Sequence, residues 1–390
     1  MPANFLERDE RAMETGFSRS YLAQAKRIVV KVGSSTLTCS TGKMNLNLIN
    51  KLTCKLTNAE NHGKEIILVT SGAVGVGMDK LGMRKKPKSI PEKQAAAAVG
   101  QGILLHMYEK MFGEYGQTVA QVLLTRGDIS DRKRYLNARN TLNTLLGFGI
   151  IPIINENDTV AWEEIRFGDN DTLAALVAGL VDADLFIILS DIDGLYTGNP
   201  KENPQAKLMP LIENITPEIE ALAGGVGTDL GSGGMLTKIQ AAKISGNSGI
   251  PMIIAQGKDP AVIDDILEGR EVGTLFLPRE YKLHHRKRWI AFGAELSGAL
   301  YVDKGAEEAI LCSGKSLLPI GVIGLDGNFE PGDTVSIQTE EHKEFARGIV
   351  DYAWRKVELI MGHKSQEIEG ILGHKDYDYI VHRNNMVLKV

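Results

Sequence analysis

The chain has 390 residues, 43% of them hydrophobic and 24% charged, and a formal net charge of −5. Those values describe a globular protein with enough chain for two domains, and the acidic balance argues against general attraction to nucleic acid or an anionic membrane. Three scattered cysteines, Cys39, Cys54 and Cys312, form no CxxC pair or Cys/His cluster. Neither a disulfide framework nor a zinc site is expected, and a reducing cytoplasm is. No apolar run approaches the roughly 18–20 residues that cross a bilayer.

In chain order, residues 1–26 are polar and charged, without the apolar centre of a secretion signal, and read as a tail or loose helix. Residues 27–32 (RIVVKV) have the pattern of a strand buried on both faces and end at Gly33. Lys31 lies near that end, where burial is costly unless the ammonium is paired. Residues 45–62 carry Leu46, Ile49, Leu52 and Leu56 at helical steps, and Gly63 stops that helix. A second strand, 66–69, runs into Ser71 and Gly72. Residues 92–115 read as a long helix with Gly100 and Gly102 as a weak point. Residues 118–124 are strand-like, 131–147 helical, and 150–154 strand-like despite Pro152, which a central strand tolerates poorly. Residues 162–167 suggest an extended or hairpin segment before the stretch 168–171 (GDND). Asp171 is then expected to cap a helix over 172–181. A strand over 185–189 ends at Ser190 and Asp191, residues 193–217 are loop-rich, and a last strand (251–255) precedes a short helix (263–267).

This alternation predicts an α/β domain over 27–280, with a mainly parallel sheet sandwiched by helices. Ligands in such sheets sit beyond the carboxyl ends of the strands. Lys31 with Gly33 and Ser34, Ser71 with Gly72, Asn155 to Asp158, and Ser190 with Asp191 all fall there. Residues 281–390 open on a basic junction at 284–289 and then alternate short β-like runs (299–302, 321–323, 333–337, 346–350) with Gly and Pro turns. That pattern predicts a smaller, β-rich domain. It holds 14 Lys and Arg against 16 Asp and Glu.

The stretch 231–238 (GSGGMLTK) joins glycines to a helix start with Lys238 on its first turn, a combination suited to phosphate. It also describes an ordinary surface loop, and it is not a Walker A loop. Lys31 and Lys238 could meet at one phosphate chain, as phosphoryl transfer requires, or Lys31 could snorkel to solvent. The 168–171 stretch packs two carboxylates and an amide together. These can orient lysines, hold water on Mg²⁺, or simply form an Asx turn and helix cap. Asn155 to Asp158 offers acceptors for a substrate ammonium or a plain turn. No histidine neighbours Ser71, so a serine nucleophile is not indicated.

The stretches 30–35 (VKVGSS), 69–73 (VTSGA), 98–101 (AVGQ), 136–139 (LNAR), 154–158 (INEND), 168–171, 193–197 (DGLYT) and 231–238 occur here in one order. In that order the chain resembles the amino acid kinase family, and within it the bacterial glutamate 5-kinases, from about residue 27 to about residue 385. The resemblance implies ATP-dependent phosphorylation of the side-chain carboxylate of L-glutamate, the first step of proline biosynthesis, and a PUA-like domain over 281–390. It implies that Lys31 and Lys238 neutralise the phosphoryl group in transit while Asp171 holds them. Ser71, Asp158 and Asn170 would bind glutamate. Lys31, Ser190, Asp191, Ser232, Gly233, Gly234, Met235, Leu236, Thr237 and Lys238 would contact ATP. Mg²⁺ would ride on phosphate oxygens without a protein ligand set. The resemblance further implies a cytoplasmic homo-oligomer with proline as feedback inhibitor. Ser232 stands where threonine is common, and the N-terminal extension lies outside the pattern.

Two alternatives remain at this level. Another kinase of the same fold would act on acetylglutamate, aspartate or a nucleotide; the C-terminal domain and the 154–158 stretch argue against it. An RNA-binding protein acting through the PUA-like domain is disfavoured by that domain's net charge and its lack of a basic, aromatic-lined stripe.

Overall fold

The computed structural model describes residues 19–39, 43–83, 85, 87–160, 170–200, 202–223, 234–278, 290–291 and 294–388. These fall into two compact units, one drawn from Met1–Asp128 and Leu136–Lys282, the other from Ile129–Tyr135 and Leu283–Val390.

The chain begins with α1 (Ser20–Ala23), β1 (Arg27–Val32), α2 (Ser34–Leu37), α3 (Leu46–Asn61), β2 (Glu65–Val69), α4 (Ala73–Lys80) and α5 (Ile90–Gly113). It continues through β3 (Val119–Leu124), α6 (Arg126–Ser130), α7 (Arg132–Gly147), β4 (Ile151–Glu156), α8 (Asn170–Leu180) and β5 (Leu185–Ser190). Then follow β6 (Leu211–Ile212), α9 (Pro217–Ala223), α10 (Met235–Asn247), β7 (Met252–Gln256), α11 (Val262–Leu267) and β8 (Thr274–Phe276). The strands form one sheet in the order β3-β4-β2-β1-β5-β7-β8-β6. Every neighbouring pair is parallel except β7 with β8.

Strand β1 sits between β2 and β5, and its last five residues are buried. Alternation sends Ile28, Val30 and Val32 to one face. There they join Leu48, Ile49, Leu52 and Leu56 of α3 and Leu104, Tyr108 and Phe112 of α5. Val29 and Lys31 therefore face the other side, against which α8 packs. A lysine at the next-to-last position of a central strand is thereby aimed under a helix N-terminus.

One local expectation is explained and two change. Pro152 does lie inside a paired strand. The Ile151 amide donates to Thr118 on the β3 side, so the missing amide of Pro152 faces β2, and pairing with β2 begins only at Ile153. The proline thus costs the β2 side its first ladder bond and leaves the β3 side intact. Gly100 is not a weak point of α5. A Cβ there would lie 1.7 Å from the Ala73 carbonyl oxygen, and one at Gly77 would lie 1.8 Å from that of Ala96. The two glycines let α4 and α5 touch backbone to backbone. Residues 19–26 are not a loose tail. Leu22 and Ala25 are buried, and the Arg19 guanidinium donates to the carbonyls of Pro210, Arg270 and Val272. Residues 1–18 and the segment 162–167 lie outside the described residues.

The second unit carries β9 (Leu296–Val302), α12 (Lys304–Ser313), β10 (Val322–Gly327), β11 (Thr334–Gln338), β12 (Glu344–Val350), α13 (Trp354–Ile360), α14 (Ile368–Leu372) and β13 (Val381–Leu388). Its five strands run β10-β9-β11-β12-β13, antiparallel except for the β9/β11 pair. Leu300, Phe329, Val335, Ile337, Val350 and Ile380 form its own core. The four anticipated β runs are strands; the helices and β13 were not anticipated. Among the described residues no helix is long and apolar enough to cross a membrane.

Candidate active site

Asp171 is the centre of the site. It lies in the first turn of α8 rather than at the cap, because the helix begins two residues earlier than expected, at Asn170. Its side chain is fully buried. Lys31 Nζ lies 2.6 Å from one carboxylate oxygen and Lys238 Nζ 3.1 Å from the other. Thr237 Oγ1 donates to that second oxygen at 3.0 Å. Burial alone would push the Asp171 carboxyl up, but the two ammonium groups outweigh it and hold the group below the usual carboxylate range. Two lysines and one carboxylate leave the cluster with one net positive charge.

Each member is placed by its element. Lys31 is the penultimate residue of the central strand, and a Cβ on Gly33 would make only ordinary contact with its Nζ, at 3.6 Å. Lys238 occupies the first turn of α10, which Gly234 starts in an extended conformation. That end of the helix carries partial positive charge and free amides, which favour an anion. Helix α10 packs on α8, which brings Lys238 to Asp171 across 67 positions of sequence.

A second cluster adjoins the first through Asn170. Its Nδ2 reaches the Thr70 carbonyl at 2.6 Å, Ser71 Oγ at 2.9 Å and Asn155 Oδ1 at 2.8 Å. Asn155 in turn donates to Gln101 Oε1 at 2.7 Å and accepts from the Glu156 amide at 2.9 Å. Thr70 Oγ1 pairs with the Tyr108 hydroxyl at 3.0 Å. Gly72, with φ +100°, starts α4 beside Ser71, a left-handed conformation that favours glycine. Asp158 lies in the turn that follows β4.

A third group closes the line of strand ends. Ser190 ends β5, is buried, and donates to Asp191 Oδ1 at 3.1 Å. The Gly257 amide donates to the Ser190 carbonyl at 2.7 Å. The strand ends of β1, β2, β4 and β5 thus present a cationic centre flanked on one side by the Asn170 network and the carboxylates Glu156 and Asp158 at the end of β4, and on the other by Ser190 with Asp191.

The chain matches the family model of the amino acid kinase family over residues 26–256 and that of the PUA domain over residues 298–372. It is 56% identical over 370 residues to the glutamate 5-kinase of Moorella thermoacetica, an alignment covering 95% of this chain and 98% of that one. It is 54% identical to the glutamate 5-kinase of Thermoanaerobacter sp., covering 93% and 97%, and 49% identical to that of Geobacter sulfurreducens, covering 94% and 98%.

This chain belongs to the amino acid kinase family.

In this amino acid kinase, Lys31, Lys238 and Asp171 converge as one cluster, and Ser71 and Asn170 as a second. Gly234, Met235, Leu236 and Thr237 lie at the start of α10, with Leu236 more than half exposed. Ser232, Gly233 and the first two residues of the 168–171 stretch lie outside the described residues. The sequence names Thr237 only as a nucleotide contact, not as a partner of Asp171, and gives no role to Gln101, Thr70 or Tyr108. Gln101 and Tyr108 stand seven residues apart on α5, two helical turns and so one face, which is the signal that could have paired them. Among the described residues no group of three His, Cys, Asp or Glu side chains could hold a metal ion, and both Asp171 oxygens meet ammonium groups. The described residues thus offer a divalent cation no ready-made set of protein ligands.

Proposed function

We propose that this amino acid kinase transfers the γ-phosphoryl group of ATP to the side-chain carboxylate of L-glutamate, giving L-glutamyl 5-phosphate and ADP, the first step of proline biosynthesis. The observation that carries the reading is the buried cluster in which one carboxylate holds two lysines at the strand ends, in a chain whose curated relatives are glutamate 5-kinases over nearly their whole length.

A carboxylate oxygen of the substrate attacks the γ-phosphorus, the bond to the β-phosphate oxygen breaks, and ADP leaves with that electron pair. The acceptor is already ionised at neutral pH, so no general base is needed. Two anions must approach each other, and Lys31 and Lys238 offset their repulsion and the charge on the transferring group. Asp171 fixes both ammonium groups in place without neutralising the pair. Ser71, Asp158 and Asn170 bind the amino acid, Asp158 through its charge on the α-ammonium. Ser190, Asp191 and the 232–238 stretch hold the nucleotide, whose phosphates would carry Mg²⁺ as a further source of positive charge. The domain boundary lies near residue 281. Self-association, proline as an inhibitor at the glutamate site and a cytoplasmic location complete the reading.

An ADP-coupled assay with a panel of acceptors tests it. Turnover with glutamate, and not with acetylglutamate, aspartate or UMP, is the expected result. Turnover with acetylglutamate alone would reject the assignment.

A further inference from the structure

The hydrogen-bond polarity of the second cluster is fixed by two main-chain groups. The Thr70 carbonyl can only accept, so the Asn170 atom 2.6 Å from it is the amide nitrogen. The Glu156 amide can only donate, so the Asn155 atom 2.9 Å from it is the carbonyl oxygen. Asn155 must then turn its own NH2 the other way, onto Gln101, and Gln101 must present its oxygen, at 2.7 Å. Asn170 Nδ2 has two hydrogens and three oxygens within 2.9 Å. Both hydrogens are therefore spent on the protein, and the group Asn170 has for a ligand is its Oδ1, an acceptor.

We propose that Gln101 is a positioning residue: by accepting the Asn155 NH2 it braces the chain Gln101–Asn155–Asn170, whose polarity the main chain fixes, and so holds Asn170 Oδ1 as an acceptor for the substrate's α-ammonium, with Tyr108 steadying the same group through Thr70. This rests on the reading of the second cluster as the amino acid subsite. Three features support it. Gln101 and Asn155 are both buried, so their pairing is costly to lose. Gln101 and Tyr108 lie on the face of α5 that meets the sheet, two turns apart. Beside Gln101, Gly100 lets α5 approach α4 to backbone contact, which docks the helix that carries both. An acceptor aimed at the amino group gives a site that prefers a free α-ammonium to an acylated nitrogen, because an amide nitrogen carries no charge and only one hydrogen.

The test compares Gln101→Leu, which removes the acceptor, with Gln101→Glu, which keeps an acceptor oxygen in place. Losing one buried hydrogen bond of this kind corresponds to roughly a five- to hundredfold change in affinity. Gln101→Leu is expected to raise KM for glutamate by that factor, with KM for ATP and kcat within about threefold of wild type. Gln101→Glu is expected to recover most of the loss. Tyr108→Phe keeps the ring in the core and is expected to raise KM for glutamate about two- to tenfold, which provides a reading should Gln101→Leu fail to fold. An unchanged KM for glutamate in Gln101→Leu, an equal loss in kcat and in both KM values, or no advantage of Gln101→Glu over Gln101→Leu would each overturn the proposal. If the wild type turns over a different acceptor, the proposed function fails, and KM for that acceptor in the same variants decides the role of Gln101 separately.

Discussion

Replacing Asp171 by asparagine separates charge from shape at the centre of the site. The side chain keeps its volume, but Lys31 and Lys238, both buried and both within 3.1 Å of it, lose their shared counter-charge. Removing one partner of a buried ion pair costs roughly 3–5 kcal/mol. For a chain of this size that is a fall in Tm of about 6–20 °C, at about 2–4 °C per kcal/mol. Two neighbouring ammonium groups without a carboxylate also repel, and one is expected to shed its proton or turn away. The transferring phosphoryl group then meets one charge instead of two. Removal of one such stabilising group typically lowers kcat by about 10²–10³. Glutamate binding depends on the second cluster, so KM for glutamate is expected within about threefold of wild type. An ADP-coupled assay at saturating ATP and a thermal melt with bound nucleotide read both effects. A kcat within tenfold of wild type and an unmoved Tm would refute the claim that Asp171 acts through its charge.

Lys238→Ala should lower kcat by about 10²–10³ while KM for glutamate changes little, because its charge matters most in the transition state; steady-state kinetics with both substrates varied would show an unchanged kcat if that is wrong. Gly100→Ala should fold poorly, since its Cβ would lie 1.7 Å from the Ala73 carbonyl oxygen. Overpacking at the upper end of the roughly 1–3 kcal/mol range predicts a Tm loss of about 6–12 °C, against almost none for Gly102→Ala, where no atom lies within 4 Å of the added methyl. The Asp171 carboxyl is held below its ordinary value in the folded protein. Its stabilisation is therefore present above the unfolded value of about 3.9 and is lost as pH falls through the folded value. The Tm gap between wild type and Asp171→Asn should narrow as pH falls below the unfolded value of about 3.9, and a gap that stays constant there would count against the ion cluster as its source.

The line of strand ends was legible from residues 27–32 and 185–190, because a parallel strand buried on both faces reads as an unbroken apolar run. Lys31 at the end of such a run announces a partner, since burial without one is prohibitive. Pattern alone leaves the partner open, since the 168–171 carboxylates could orient lysines or merely cap a helix; the resemblance assigns Asp171 to the lysines, and the packing of α8 against β1 is what brings it between the two. Gly100 was misread for the same reason. A glycine in a helix lowers its propensity when viewed alone, and its use becomes visible only beside Gly77. Strands β6 and β8 are too short for a period to register, and the helices of the second unit alternate with strands too briefly to be separated from turns.

The two clusters answer opposite electrostatic demands at adjoining positions. At the Asp171 cluster the net charge must stay positive, and it does because one carboxylate serves two lysines. At the Asn170 cluster the substrate brings both a cation and anions, and a second protein carboxylate beside Asp171 would cancel the positive charge required next to it. A neutral carboxamide with its NH2 committed to Thr70, Ser71 and Asn155 offers an acceptor without adding charge. Helix α8 carries both residues in consecutive positions, Asn170 and Asp171, so neither can shift without the other. That coupling explains why an amide and a carboxylate stand side by side at the start of one helix. It also explains why Asn170→Asp is expected to be worse than Asn170→Ala for phosphoryl transfer: the aspartate would compete with Asp171 for Lys31 and Lys238, whereas the alanine would only weaken the hold on the acceptor. Equal kcat values for the two variants at saturating substrate would contradict that division of roles.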